Sequence, residues 1–215
     1  VVEVENKAPS KPLVSVLVLA YQHENYIEKC VSAIVNQKTN FPFEVLIGED
    51  NSSDQTRSLC MELASKYNDK IRLFLHSREN NIRVNDKPTW HFNSIYIHSK
   101  AKGKYIALCE GDDYWTDESK LQKQINFLER NEGFSACAHL ADITFEGTLE
   151  KSSDRFKRNI DKTVFSTTDI LEYTPFHTAS IVYRKKLLIT DEVSEEQFLA
   201  LNRDHPTMII LSTKG

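Results

Sequence analysis

The chain has 215 residues, 40% of them hydrophobic and 27% charged, with a formal net charge of −4, a size and balance suited to one domain with a substantial core. Without a general basic footprint, nucleic-acid binding is not expected. The longest apolar run, around Val14 to Ala20, is far too short to span a bilayer, and no basic, apolar, small-residue leader directs secretion.

The chain opens at Val1 rather than Met, as expected for a segment of a longer polypeptide. Pro12 to Ala20 is a nearly continuous β-branched and leucine-rich run, the pattern of a strand covered on both faces. Asn25 is placed to cap a following helix, with Glu28 reaching back to it. In that helix Ile27, Cys30, Val31, Ile34 and Val35 form one apolar stripe. Phe43 to Ile47 reads as a second strand, and Asp54 caps a helix to about Tyr67. Ile71 to Leu75 is the third strand. Pro88 is suited to the first turn of a helix running through Ser99. Lys104 to Cys109 is the fourth strand, and Thr116 caps a helix carrying Leu121, Ile125 and Leu128.

This alternation predicts an α/β fold with a mostly parallel central sheet and helices on its faces. From Ser135 the pattern changes. Ser135 to Phe145 reads as a strand, Glu146 to Thr163 as a polar loop, Thr178 to Tyr183 as a short strand and His205 to Lys214 as a final helix. The break near residue 134 separates a first half, about 12–134, from a second, about 135–215, within a single domain. Cys30, Cys60, Cys109 and Cys137 form no CxxC pair, so zinc and redox motifs are not expected. Three sit among apolar neighbours and read as buried thiols, which suits a reducing cytoplasm.

Ligands of open parallel sheets bind beyond the carboxyl ends of the strands. Three strand ends here are polar: Tyr21-Gln22-His23-Glu24, Glu49 to Asp54, and Glu110-Gly111-Asp112-Asp113-Tyr114-Trp115. A diphosphate needs positive charge or a nest of N–H groups, yet there is no GxGxxG after the first strand, no GxxxxGK[ST], and only six glycines in all. A cation bridging carboxylates and phosphates remains. Mg2+ and Mn2+ prefer oxygen and take few ligands from protein, and Glu110 and Asp112 supply them from one turn. The bland alternative is a solvated acidic turn ahead of a helix, but its place directly after the buried Tyr105-Ile106-Ala107-Leu108-Cys109 run favours a ligand role.

Over essentially its whole length the chain resembles family 2 glycosyltransferases of the GT-A fold. VSVLVLAYQHENYIEKCVSAIVNQ resembles the family's opening strand, turn and helix; FEVLIGEDNSSDQT resembles its second-strand aspartate motif; KGKYIALCEGDDYW resembles its acidic metal-binding motif. The resemblance implies a Rossmann-like nucleotide-sugar-binding half followed by an acceptor-side half. It implies that Tyr21 stacks on the base, that Asp50 accepts a hydrogen bond from it, and that Asp112 with Glu110 contacts the ribose and the cation. The nucleotide-sugar-binding set is then Tyr21, Glu24, Asp50, Asn93, Glu110 and Asp112, with Glu110 and Asp112 also the metal ligands for Mn2+ or Mg2+. Glu110 stands where an aspartate is usual in the family, and the segment before Asn93 lacks the arginine often found there.

Transfer to a hydroxyl needs a base, and Asp204 in Leu201 to Pro206 resembles the family's late aspartate at the start of a helix, although it would also serve as a plain helix cap. The resemblance implies an inverting transfer from a nucleoside-diphosphate sugar, most commonly a UDP-sugar, to a saccharide or lipid-linked saccharide. The expected setting is cell-surface glycan synthesis in the cytoplasm, with peripheral association at the inner membrane face left open. The family often continues beyond this point, so residues after Gly215 are expected to complete the site. Two alternatives stand beside this reading: a binding module of the same fold without turnover, and, ranked last, a nucleotidyltransferase, whose glycine-rich basic loop is missing.

Overall fold

The computed structural model describes residues 1–84, 86–89, 91–144, 151–152, 162–188 and 204–214. In chain order the main elements are β1 (Val2–Glu3), β2 (Val14–Ala20), α1 (Ile27–Val35), β3 (Phe43–Glu49), α2 (Thr56–Lys66) and β4 (Ile71–Leu75). A short hairpin of β5 (Arg83–Val84) and β6 (Lys87–Pro88) follows, then α3 (His91–Lys100), β7 (Tyr105–Leu108) and α4 (Lys120–Arg130). The second half holds β8 (Ala136–Cys137), β9 (Ile143–Thr144), β10 (Lys151–Ser152), α5 (Thr167–Glu172), β11 (Val182–Arg184) and α6 (Asp204–Thr213).

Seven strands form one sheet in the order β1-β4-β3-β2-β7-β11-β8. Its centre, β4-β3-β2-β7, is parallel, while β1, β11 and β8 join antiparallel. Alternate residues of a strand point to opposite faces, and the core divides accordingly. Val14, Val16, Val18 and Ala20 meet α1, α2 and α4 on one face, whereas Leu17 and Leu46 meet α3, α5 and α6 on the other. Helices therefore cover both faces, as the unbroken apolar runs predict.

The apolar stripe of α1 is fully buried, but several element boundaries differ from the expected ones. Asn25 does not cap α1. The helix follows a turn in which the N–H groups of Tyr26 and Ile27 both donate to the carbonyl of His23, each at 2.9 Å. Pro88 does not open α3: it pairs with Arg83 across a hairpin turned at Asp86, whose φ is 60°, so a local ladder takes the proline and the helix begins at His91. Thr116 does not cap α4. Gln37, from the end of α1, accepts the Leu121 N–H at 3.0 Å, and Asp117 accepts that of Ser119 at 2.8 Å. Asp54 does cap α2 in effect, accepting from the Thr56 N–H at 3.0 Å. Ser135 to Phe145 contains two short strands rather than one, and β10 falls inside the stretch expected to be loop. Thr178–Ser180 is a 3-10 turn, with the strand beginning at Val182.

At the opposite end of the sheet from the polar exits lies a buried ionic network. Glu44, fully buried, accepts from Ser15 Oγ at 2.6 Å, from Arg72 Nη1 at 3.1 Å and from the Lys102 N–H at 2.7 Å. Arg72 also reaches Glu3 at 2.8 Å and the Lys100 carbonyl at 2.8 Å, which ties β1 and the end of α3 to the central strands. Every member has a partner, the condition under which a buried charge is tolerated.

Two buried histidines set a pH limit on the fold. His98 meets the Tyr183 hydroxyl at 3.1 Å, and His76 lies edge-on to Phe92 and Tyr96 with ring centroids at 5.7 and 5.3 Å. Burial pushes each imidazole down to about 4 from its usual 6.5. The unfolded chain takes up these protons below about 6.5 while the folded chain refuses them until about 4, so stability is fully present above 6.5 and is lost as pH falls between those values. Urea unfolding measured from pH 7 to pH 4.5 is expected to show this decline, and His76→Phe, which replaces an imidazole with no nitrogen partner among the described residues by an apolar ring, is expected to make it shallower.

Candidate active site

Parallel pairing sets the three polar exits at one level. Ala20 stands opposite Glu49, and Leu17 opposite Leu108. The ladder continues past the strand ends: Asp50 N–H donates to Ala20 at 3.0 Å, Cys109 N–H to Leu17 at 3.1 Å and Gly111 N–H to Leu19 at 2.9 Å. A cleft of about 590 Å³ opens there, bordered by Tyr21 and His23 from the first exit, Asp50 from the second, Arg78 after β4, Thr89 and Asn93, the acidic turn, and His177 and Thr178 from the second half.

One end of the cleft is built around Asp50, which is 2% exposed. Its Oδ2 accepts from Arg78 Nη1 at 3.0 Å and from Asn81 Nδ2 at 2.9 Å, while Oδ1 has no partner among the described residues. Burial raises this carboxyl above its usual range, against the opposing pull of Asn81 and Arg78. The Arg78 guanidinium lies 4.2 Å from the centre of the half-exposed Tyr21 ring, a cation–π contact that fixes both. The neighbouring carboxylate, Glu49, points the other way. It is fully buried, pairs with Arg57, and accepts from the Asn51 and Ser52 N–H groups at 3.2 and 2.6 Å. That bracing holds a loop in which Asn51 has φ 57°, and Ser52 Oγ in turn accepts the Gln22 N–H at 3.0 Å.

The other end is the acidic turn. Asp112 is half exposed, and its Oδ2 lies 3.9 Å from His23 Nε2. Asp113 Oδ2 lies 3.6 Å from His177 Nδ1, a spacing outside hydrogen-bond range. Burial raises the Asp113 carboxyl; His177 opposes that shift and the nearby Asp112 charge adds to it. Gly111 has a steric reason to be glycine, since a Cβ there would come within 2.5 Å of His23 Nδ1. Trp115 anchors the turn by donating from Nε1 to the Ala179 carbonyl at 2.8 Å.

The structure gathers Tyr21, Asp50, Asn93, Glu110 and Asp112 around one cleft. Glu24 is elsewhere: its carboxylate accepts the Gln55 N–H at 2.9 Å at the start of α2, and it does not border the cleft. Asn93 forms part of the floor, 1% exposed, donating to the Gly48 carbonyl at 2.8 Å. Asp204 opens α6, but its side chain lies outside the described residues. Sequence reasoning missed Arg78, Asn81, Asp113 and His177. Arg78 had a signal, being a basic residue three positions beyond a buried strand.

Among the described residues no group of three or more His, Cys, Asp or Glu side chains is disposed to cage a cation. The turn still fits an ion shared with a ligand, because Mg2+ and Mn2+ sites commonly draw one or two carboxylates from protein and complete their shells with phosphate and water.

Residues 11–189 match the family described as glycosyltransferase-like family 2, and the chain belongs to that family. An uncharacterised protein of Mycobacterium tuberculosis is 35% identical over 80% of this chain and 47% of its own length. An uncharacterised glycosyltransferase of Haemophilus influenzae is 30% identical over 91% of this chain and 57% of its own. The chain thus spans about half the length of the curated relatives it matches. Its fold is that of the GT-A glycosyltransferases. S. aureus TarS in complex with UDP superposes with a TM-score of 0.61 at 19% identity, covering 92% of this chain and 53% of TarS. A Pyrobaculum calidifontis mannosyltransferase in complex with GDP-Man and Mn2+ gives 0.58 at 15%, covering 92% and 53%. Among the described residues no helix is long and apolar enough to cross a membrane.

The cleft floor depends on a missing side chain. A Cβ at Gly48 would meet Asn93 Oδ1 at 1.8 Å and Ile97 Cγ2 at 2.9 Å, so β3 and α3 approach only through glycine. Gly48→Ala is expected to lower the thermal midpoint by several degrees, with a cost of about 1–3 kcal/mol from overpacking, as read by differential scanning calorimetry.

Proposed function

We propose that the chain is the catalytic part of a glycosyltransferase that moves a sugar from a nucleoside-diphosphate sugar, a UDP-sugar foremost, to a hydroxyl of a saccharide or lipid-linked saccharide. The observation that carries this reading is the division of the cleft into two chemically distinct ends. At one, an exposed tyrosine, a guanidinium and a carboxylate oxygen with no partner among the described residues suit a nucleobase. At the other, Glu110, Asp112 and Asp113 suit a diphosphate only when a cation accompanies it. The UDP bound by TarS and the GDP-Man and Mn2+ bound by the mannosyltransferase support the same division.

In this reading Tyr21 stacks on the base, with Arg78 holding its ring in place. Asp50 Oδ1 accepts the ring N–H that uracil offers at N3, and Arg78 donates to an adjacent carbonyl. Asn93 keeps the floor of the cleft in place behind the donor. Asp112 and Glu110 hold a divalent cation, Mn2+ or Mg2+, which when bound supplies the charge neutralisation that a departing diphosphate requires. Asp204 accepts the proton of the acceptor hydroxyl as it attacks the anomeric carbon, an effect typically worth about 10²–10⁴-fold. Attack on the face opposite the leaving group inverts that centre in one displacement. We place the activity in cell-surface polysaccharide or glycan synthesis, in the cytoplasm and at the inner face of the membrane.

A thermal-shift panel of UDP, GDP and TDP with and without Mn2+ tests the donor assignment. At least one diphosphate is expected to stabilise the chain more with Mn2+ than without, and a flat panel on folded protein would sink the reading. For the base, Asp204→Asn is expected to abolish transfer while leaving donor affinity within about twofold of the original. Undiminished transfer would remove Asp204 from the chemistry, whereas a wild-type chain that binds donor and transfers to no saccharide would favour a non-catalytic binding module.

A further inference from the structure

The nucleobase end of the cleft has its donor, but the phosphate end has no obvious one. Arg78 is the one guanidinium among the described residues that border the cleft, no lysine borders it, and Arg78 is engaged with Asp50 and Tyr21. Among the described residues that border the cleft, the charged side chains at the acidic turn are the carboxylates of Glu110, Asp112 and Asp113. A shared cation answers some oxygens of a diphosphate; those turned away from it still need N–H donors once water is displaced.

Resting on the nucleoside-diphosphate reading above, we propose that His23 and His177, one from each half of the domain, are the N–H donors that grip the donor diphosphate from either side of the acidic turn. Both border the cleft. His23 Nε2 stands 3.9 Å from Asp112 Oδ2, and His177 Nδ1 stands 3.6 Å from Asp113 Oδ2, so each imidazole neighbours one carboxylate of the acidic turn. Each ring is delivered by a braced backbone. The His23 N–H donates to Thr56 Oγ1 at 2.7 Å, and its carbonyl receives the first N–H groups of the α1 turn. The His177 carbonyl accepts from Ser180 Oγ at 2.6 Å, and the same turn is tied to Trp115 at 2.8 Å and to Gln124 at 2.9 Å.

The tautomers follow from those surroundings. Nδ1 of His177 accepts the Ala179 N–H at 3.2 Å, so in the neutral ring the proton sits on Nε2. Nδ1 of His23 is enclosed against Gly111 and has no partner among the described residues, while Nε2 faces the Asp112 carboxylate and keeps the proton there. A lysine in either place would bring a fixed charge that competes with the cation for the same carboxylates. An imidazole supplies a directed donor without one.

The test is a comparison of affinities for UDP and uridine, with GDP and guanosine in parallel, by isothermal titration calorimetry of the chain, His23→Phe, His177→Phe and the corresponding glutamine variants, each in Mn2+ and in EDTA. Phenylalanine keeps the ring and removes the donor, and unchanged nucleoside affinity certifies that the cleft is still folded. Each phenylalanine variant is expected to weaken the diphosphate about tenfold or more, the usual loss for a hydrogen bond to a charged group. The nucleoside is expected to bind unchanged, the loss is expected to persist in EDTA, and glutamine is expected to recover part of it. Diphosphate affinity that ignores both substitutions overturns the inference and leaves the donor reading intact. A loss confined to Mn2+ overturns it as well, since the rings would then act on the cation. If neither diphosphate binds the unsubstituted chain, the donor reading fails and this inference falls with it.

Discussion

The register of β2 against its two parallel neighbours is the constraint on which the cleft depends. Because Ala20 is level with Glu49, and Leu17 with Leu108, the tyrosine turn, the Asp50 loop and the acidic turn leave the sheet side by side. A shift of one residue in either pairing would invert every side chain between the two faces. Val16 and Leu17 are both buried, but they serve different helical layers, so such a shift would cost both cores at once. The hydrophobic layers therefore protect the site geometry although none of their side chains does chemistry.

Adjacent carboxylates at the end of β3 show how alternation assigns roles. Glu49 and Asp50 are both nearly or fully buried, yet successive residues face opposite ways. Glu49 turns toward Arg57 and the N–H groups of its own loop, where its charge is spent on structure. Asp50 turns toward Arg78 and Asn81 and leaves one buried oxygen with no partner among the described residues. Burial resists the ionised form of Asp50, and the two donors counter that resistance without satisfying the whole group. Such a half-satisfied carboxylate is unfavourable in isolation and becomes favourable when a ligand N–H completes it.

Segments far apart in sequence meet beside the acidic turn. Trp115 bonds to Ala179, Gln124 to Ser180, and Asp113 faces His177. The turn that would hold the donor's cation is thereby mechanically continuous with the segment ahead of β11. In the proposed reading, donor and acceptor would be held relative to one another by packed, hydrogen-bonded protein, the condition under which pre-orientation contributes to rate.

Much of this was legible along the chain. The unbroken apolar runs of β2, β3, β4 and β7 announced strands covered on both faces, and the helical spacing of Ile27, Cys30, Val31, Ile34 and Val35 announced the buried stripe of α1. Polar residues directly after such strands marked Tyr21, Asp50, Glu110 and Asp112, because a strand end presents charge beside a dry core. Capping was read less well. Asn25, Pro88 and Thr116 each had local chemistry for a helix start, but a turn on the His23 carbonyl precedes α1, the β5–β6 pairing takes Pro88, and Gln37, distant in sequence, serves the start of α4. Period and hydrophobicity are properties of neighbouring residues, so the sequence alone sufficed to determine the α/β layering and three of the four strand exits. Arg78 on Asp50, His23 beside Asp112 and His177 beside Asp113 join positions 28, 89 and 64 residues apart; only the folded sheet decides such meetings, because they arise from register and crossing of elements rather than from any local preference of the chain.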